Sequence, residues 1–124
     1  MSSTDADGPV VRTPAQAHAL VPDLLALTDD VVAVRADLTA AARDEPAAPI
    51  ADQKALEARL SELLDGIVGL GVQLKGWAPL LVDIPVSTGD RQVLFCWLEG
   101  DRDISWYHEV HHGFAGRRPL SDLD

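Results

Sequence analysis

At 124 residues the chain has room for one modest hydrophobic core and not for two. Its apolar fraction of 47% is that of a globular chain, and its lone Cys excludes an intramolecular disulfide framework and fits a reducing compartment. Twenty acidic against ten basic residues give a formal charge of −10, which argues against a phosphate-backbone partner and an anionic membrane surface, since both are held by Lys and Arg.

Met1 to Arg12 is small, polar and acidic, so a disordered tail is expected over residues 1–12. It has neither the basic nor the apolar region of a secretory signal. No uncharged apolar run in the chain reaches the roughly 18–20 residues of a membrane span. The expectation is a soluble, cytoplasmic protein with no nucleic-acid or membrane partner, its single domain covering residues 13–120 and a short tail residues 121–124.

Order is expected to begin at Thr13, where an N-cap hydroxyl, Pro14 and Gln16 form a capping-box signature. Leu20, Leu24, Leu27, Val31, Val34, Leu38 and Ala41 then recur at alternating steps of four and three, the seam of two packed helices. Pro22 lacks the N–H that an uninterrupted helix requires, so a short first turn and a kink should precede a straight helix to about Arg43. Asp44 to Ala51 carries two prolines and reads as the turn. Asp52 can cap a second helix with its own seam at Leu56, Leu60, Leu63, Ile67, Leu70 and Leu74. Together these predict a long, coiled-coil-like antiparallel two-helix hairpin over residues 13–75. Leu64 and Val68 widen the second stripe beyond the seam, so a further layer must cover it; a second subunit is one candidate, hence an expected homodimer.

Residues 80–120 hold nearly all the chemically distinctive side chains. Leu80–Val86 and Gln92–Leu98 read as a β-hairpin around Ser87–Arg91. Placing Val86 opposite Gln92 pairs Asp83 with Phe95 and puts Asp83, Phe95 and Trp97 on one face. Cys96 then points at the helices as core packing, an assignment that a slip of one residue would invert. Asp103 can cap a short helix from Ile104 to about His112, ended by Gly113. The fold class expected is therefore α+β: the helical hairpin followed by a C-terminal β-hairpin and a short helix.

Gly71-Val-Gln-Leu-Lys75, Leu81-Val-Asp-Ile-Pro85, Cys96-Trp97 with Glu99-Gly100, then Ile104, His108 and Gly113-Phe-Ala-Gly-Arg117 with Pro119 together resemble the domain-of-unknown-function family 2203. The segment from Thr13 to Leu25 resembles that family's opening. The resemblance implies a small prokaryotic protein and carries no activity with it. It includes His108, whereas His111 stands where the family pattern has an acidic residue and His112 has no counterpart there.

Three kinds of chemistry are open to these residues. Asp83 beside aromatics must be paired or hydrogen-bonded, with His108 and Arg117 as the natural partners. Asp83 and His108 are the candidate catalytic pair, and Asp83, Trp97, His108 and Arg117 the candidate site for a small anionic or aromatic ligand. The competing reading of the same residues is a buried network that pins the tail to the hairpin. On a helix, His108, His111 and His112 would share a face and could hold a transition metal such as zinc or iron. His108-Glu109-Val110-His111-His112 also spells H-E-x-x-H, the zinc-hydrolase motif, which makes a hydrolase the remote alternative. The sequence thus points to a protein binding a metal ion or small ligand in its C-terminal module. The alternative is a structural or partner-binding dimer module that acts through the helical hairpin.

Overall fold

The computed structural model describes residues 8–123. The expected tail over residues 1–7 and Asp124 lie outside them. Thr13 opens the first helix, α1 (Pro14–His18), with both arms of the capping box formed: Thr13 Oγ1 accepts from the Gln16 N–H, and Gln16 Oε1 accepts from the Thr13 N–H. Pro22 sits in the first turn of α2 (Val21–Arg43), so the break falls where the missing N–H is harmless, and α1 and α2 together make one bent helix. After a loop, α3 (Ile50–Val68) runs back against α2. Its N-cap is Pro49, and Asp52 lies inside the first turn instead of capping it; a carboxylate there still favours the positive end of the helix dipole.

The seam works as its spacing predicts. Leu24, Val31, Val34 and Ala41 of α2 and Leu60, Leu63 and Ile67 of α3 are buried, and the other seam leucines of the two helices are half-buried against them. The second seam stops short, however. Gly69 caps α3, and Gly71 takes a φ of +80°, a left-handed conformation that costs a side chain dearly. The chain then leaves as a strand that the Leu70 and Leu74 spacing had disguised as helix.

That strand, β1 (Gln73–Trp77), begins a five-stranded antiparallel meander with β2 (Leu80–Ser87), β3 (Gln92–Leu98), β4 (Trp106–Glu109) and β5 (Arg118–Pro119), in that order across the sheet. Residues 114–116 and 120–122 form short 3-10 turns. Among the described residues these are the only helical turns of the C-terminal module; the expected helix from Ile104 to His112 is replaced by β4. Asp103 does bind a backbone N–H, but that of the adjacent Ile104, at 2.7 Å, which is not how a helix cap reaches its second or third turn residue. Trp106 and Tyr107 suit a pleated strand, and Tyr107 fills the core.

The β2–β3 register also differs by one residue from the expected one. Ser87 opposes Gln92, so Asp83 opposes Cys96 and Val82 opposes Trp97. The connecting loop shortens to Thr88–Arg91, closed by the Thr88 N–H donating to the Arg91 carbonyl at 3.0 Å and turned by Gly89 at φ +100°. The cause is burial: this register alone gathers Leu80, Val82, Ile84 and Val86 with Val93, Phe95, Trp97 and Tyr107 on the face against the helices. Residues Val10–Arg12 are ordered. The Arg12 N–H donates to Pro85 and its carbonyl accepts from Ser87, extending the sheet beyond the end of β1, while its guanidinium donates to the carbonyls of Leu70 and Gly71 past the end of α3. Among the described residues, no helix is long and apolar enough to cross a membrane.

Candidate functional site

The register shift decides the composition of the outer sheet face. Side chains alternate along each strand, so Leu81, Asp83 and Pro85 of β2 share that face with Leu94, Cys96 and Leu98 of β3, and with Trp106 and His108 of β4. Asp83 and His108 flank β3 diagonally, and Nε2 of His108 lies 3.1 Å from Oδ2 of Asp83. Both residues are buried. The 110–117 segment helps to cover this face: Arg117 lies 4.5 Å from the ring of Trp106 and 4.3 Å from that of Phe114, a cation held between two π faces.

The structure therefore brings Asp83 and His108 together and places Arg117 on the same side, but on aromatic rings and not on the carboxylate. Lys75 approaches Asp83 instead, its Nζ 3.9 Å from Oδ2, at the bulge between Leu74 and Gly76 of β1. Nothing in the sequence marked Lys75 except its place in the Gly71–Lys75 motif. Trp97, expected beside Asp83, is fully buried on the opposite face, and among the described residues its indole N–H has no acceptor.

His108 does not have a free ring nitrogen to offer a substrate. Its Nδ1 is 2.9 Å from the Glu109 carbonyl oxygen, which can only accept, while Nε2 faces Asp83. A general base needs a nitrogen within reach of the proton it takes, and this ring has both engaged. Cys96 has moved to the outer face, yet it is buried there. Burial, with Asp83 adding to it, pushes its thiol up to about 11, so the nucleophilic thiolate is disfavoured.

The metal-ligating expectation depended on a helix. In β4 consecutive side chains point to opposite faces, so His108 is buried on the outer sheet face against Asp83, whereas His111 and His112 are exposed in the following turn. Glu109, the water-activating residue of the H-E-x-x-H reading, pairs with Arg91 at 2.7 Å. Among the described residues no three His, Cys, Asp or Glu side chains are grouped to hold a metal ion.

Beside the buried pair lies an open groove of about 770 Å³. Trp77, Pro79, Leu81, Leu98 and Phe114 form its apolar walls, and among the described residues Lys75 is the one charged residue lining it. Trp77 is 49% exposed and Phe114 37%, unusual values for large apolar side chains. The groove abuts a cation-bearing strand of a strongly acidic chain.

The model for the family described as an uncharacterized conserved protein, DUF2203, matches residues 11–120. The chain belongs to the DUF2203 family. The match spans the bent helix, α3 and the sheet, so Lys75, Asp83, Cys96, His108 and Arg117 all fall inside the DUF2203 region. No curated protein and no solved structure matches the chain.

Proposed function

We propose that this DUF2203 protein binds a small aromatic carboxylate in the groove on the outer face of its sheet. The observation that carries this reading is the pairing of exposed Trp77 and Phe114 with a single lining cation, Lys75, in a groove large enough for a small molecule. A planar ring would lie between the two aromatic walls over Leu81 and Leu98, and its carboxylate would meet the ammonium. Asp83 and His108 support the site from below. The carboxylate of Asp83 draws Lys75 across the bulge, and Arg117 holds the ring of Phe114 in place by stacking on it. The single thiol accords with a reducing, cytoplasmic setting.

Titration calorimetry with 2-naphthoate, and with the uncharged 2-naphthamide as control, tests the reading. Naphthoate should bind saturably and better than the amide, and added salt should weaken it. Lys75→Met should reduce naphthoate affinity about tenfold, the worth of one charge-assisted hydrogen bond. Trp77→Ala should weaken both probes. Equal affinities for acid and amide, or a Lys75→Met variant that binds as the parent does, would overturn it.

A second reading is a homodimer through the helical layer, favoured by Val32 and Val68, which stay 39% and 37% exposed on α2 and α3. Light scattering at micromolar concentration reads it directly. A dimer that Val32→Asp dissociates supports it, and a monomeric mass excludes it.

A further inference from the structure

Three of the four histidines lie at residues 108–112, and the fourth, His18, stands apart at the end of α1. Its Nδ1 is 3.3 Å from Oδ1 of Asp103. That oxygen also accepts from the Ile104 N–H at 2.7 Å, which fixes the carboxylate's orientation. A carboxylate only accepts, so the ring nitrogen facing it, Nδ1, is the one that carries the proton in the one-proton tautomer, and in that tautomer Nε2 keeps a lone pair. Among the described residues Nε2 has no partner. His18 is thus unlike His108, whose two nitrogens are both engaged.

The ring of His18 meets Phe95 edge-on, with centroids 5.9 Å apart and planes at 65°. Both rings line an open cleft of about 780 Å³, walled by three stretches far apart in sequence: the segment around Val11 and Pro14, the β2–β3 loop, and Leu120 with Leu123. Much of the cleft's polar lining is already committed. Thr13 Oγ1 and Gln16 Oε1 cap each other's backbone, Ser87 Oγ accepts from the Gly89 N–H, and the Arg12 guanidinium lies on the carbonyls beyond α3. What remains is an open cleft with largely apolar walls and an oriented acceptor at its edge. Small-molecule sites have this composition, mostly apolar walls with a few placed polar groups.

We infer that this cleft is a separate binding site for a small uncharged aromatic molecule bearing an O–H or N–H donor. The ring packs on Phe95 among Val11, Pro14 and Leu120, and the donor bonds to Nε2 of His18. Asp103 is the positioning residue, since it selects the ring tautomer and does not touch the ligand. An anion is disfavoured here: Asp103 stands behind the imidazole, and the one nearby guanidinium is occupied by backbone carbonyls. No bond is made or broken.

Phenol and toluene are the probes, since they share shape and differ in the donor. Each is titrated into the full chain, and the His18 ring nitrogens and Phe95 ring protons are followed by NMR. Phenol should shift both saturably and bind about tenfold more tightly than toluene, one hydrogen bond's worth. His18→Phe keeps a ring in place and should erase the difference. Asp103→Asn should redistribute the proton between the His18 nitrogens, visible in their nitrogen shifts, and narrow the preference for phenol. The inference is overturned if phenol gives no saturable shift, if the two probes bind equally, or if the preference survives in His18→Phe. Neither probe carries a charge, and Lys75→Met should leave their binding unchanged, so failure here and failure of the naphthoate groove are distinguishable.

Discussion

At the scale of single residues, buried polar atoms separate sharply by whether they have a partner. Trp97 is among the largest fully buried side chains, and its indole N–H has none among the described residues. An unsatisfied buried donor costs about 1–3 kcal/mol, which offsets much of what the larger ring contributes by burial. Trp97→Phe should therefore change urea-unfolding stability by less than about 1 kcal/mol, while Trp97→Ala should cost about 3–5 kcal/mol through the cavity it leaves. Phe and Ala variants that are equally damaged would show that the N–H does have a partner in solution. Asp83 and His108 are the opposite case. Removing one member of a buried pair strands the other, a loss of about 3–5 kcal/mol, whereas replacing both by apolar residues removes the stranded charge. Asp83→Leu should then be more destabilising than the double variant Asp83→Leu with His108→Leu, and a double-mutant cycle measures the coupling. Cys96 offers a simpler check. With its thiol raised to about 11 and its side chain buried, it should resist iodoacetamide at pH 8 in the folded protein and react once urea unfolds it. Rapid labelling of the native chain would contradict the burial.

At the scale of elements, legibility followed the length of the pattern. The α2 and α3 seams repeat over several turns, and a period sampled that often identifies both the element and its buried face. The strands at 80–87 and 92–98 were legible for another reason, as largely apolar runs of eight and seven residues, rich in branched and aromatic side chains, on either side of a turn. What such a run cannot supply is register, because sliding β3 by one residue leaves the run itself intact. Only the joint burial of Phe95 and Trp97 with Val82 and Ile84 decides it. The slip carried Trp97 out of the candidate site and Cys96 into its neighbourhood. The two missed strands are short. Gln73–Trp77 continues a leucine spacing begun in α3, and Trp106–Glu109 follows an Asp that could cap a helix, so local signals pointed the wrong way. The paired carboxylate and histidine were still found, since a buried Asp needs a partner whatever the register. The end of α3 gives this scale its own prediction. Gly71 combines φ +80° with Cγ2 of Val10 only 2.8 Å from where a Cβ would stand. Gly71→Ala should cost about 2 kcal/mol or more, from left-handed strain plus displacement of Val10, read as a lower thermal midpoint. Adding Val10→Ala should recover the displacement part and leave the strain. A Gly71→Ala variant as stable as the parent would mean that the chain after α3 does not turn this way.

At the scale of the whole molecule, the helical layer and the sheet share an apolar interface that is non-directional, so something must fix how one sits on the other. Arg35 of α2 does so at one end. Its guanidinium donates to both oxygens of Glu99, at 2.8 and 2.6 Å, and to the Trp77 carbonyl at 2.6 Å, while Glu99 accepts from the Leu80 N–H at 2.9 Å. One bidentate pair thus ties a helix to the end of β1, the start of β2 and the residue after β3. It also adjoins Trp77, so it sets one wall of the groove on the outer sheet face. The hydrogen bonds from Arg35, with the backbone bond from Leu80 adding to them, hold the Glu99 carboxyl below its ordinary 4.5 despite some desolvation. A carboxyl whose folded value is depressed stabilises the fold fully above its unfolded value and loses that contribution as pH falls through the folded one. The clamp should therefore be at full strength at neutral pH and weaken progressively below about pH 4.5. Glu99→Gln removes the titrating group, should cost about 1.5–3 kcal/mol at pH 7, and should lose part of the parent's decline in acid, so the two stability curves converge as pH falls. Parallel curves from pH 7 to pH 3 would show that Glu99 titrates alike in the folded and unfolded chain. The orientation of sheet on helices would then rest on packing alone.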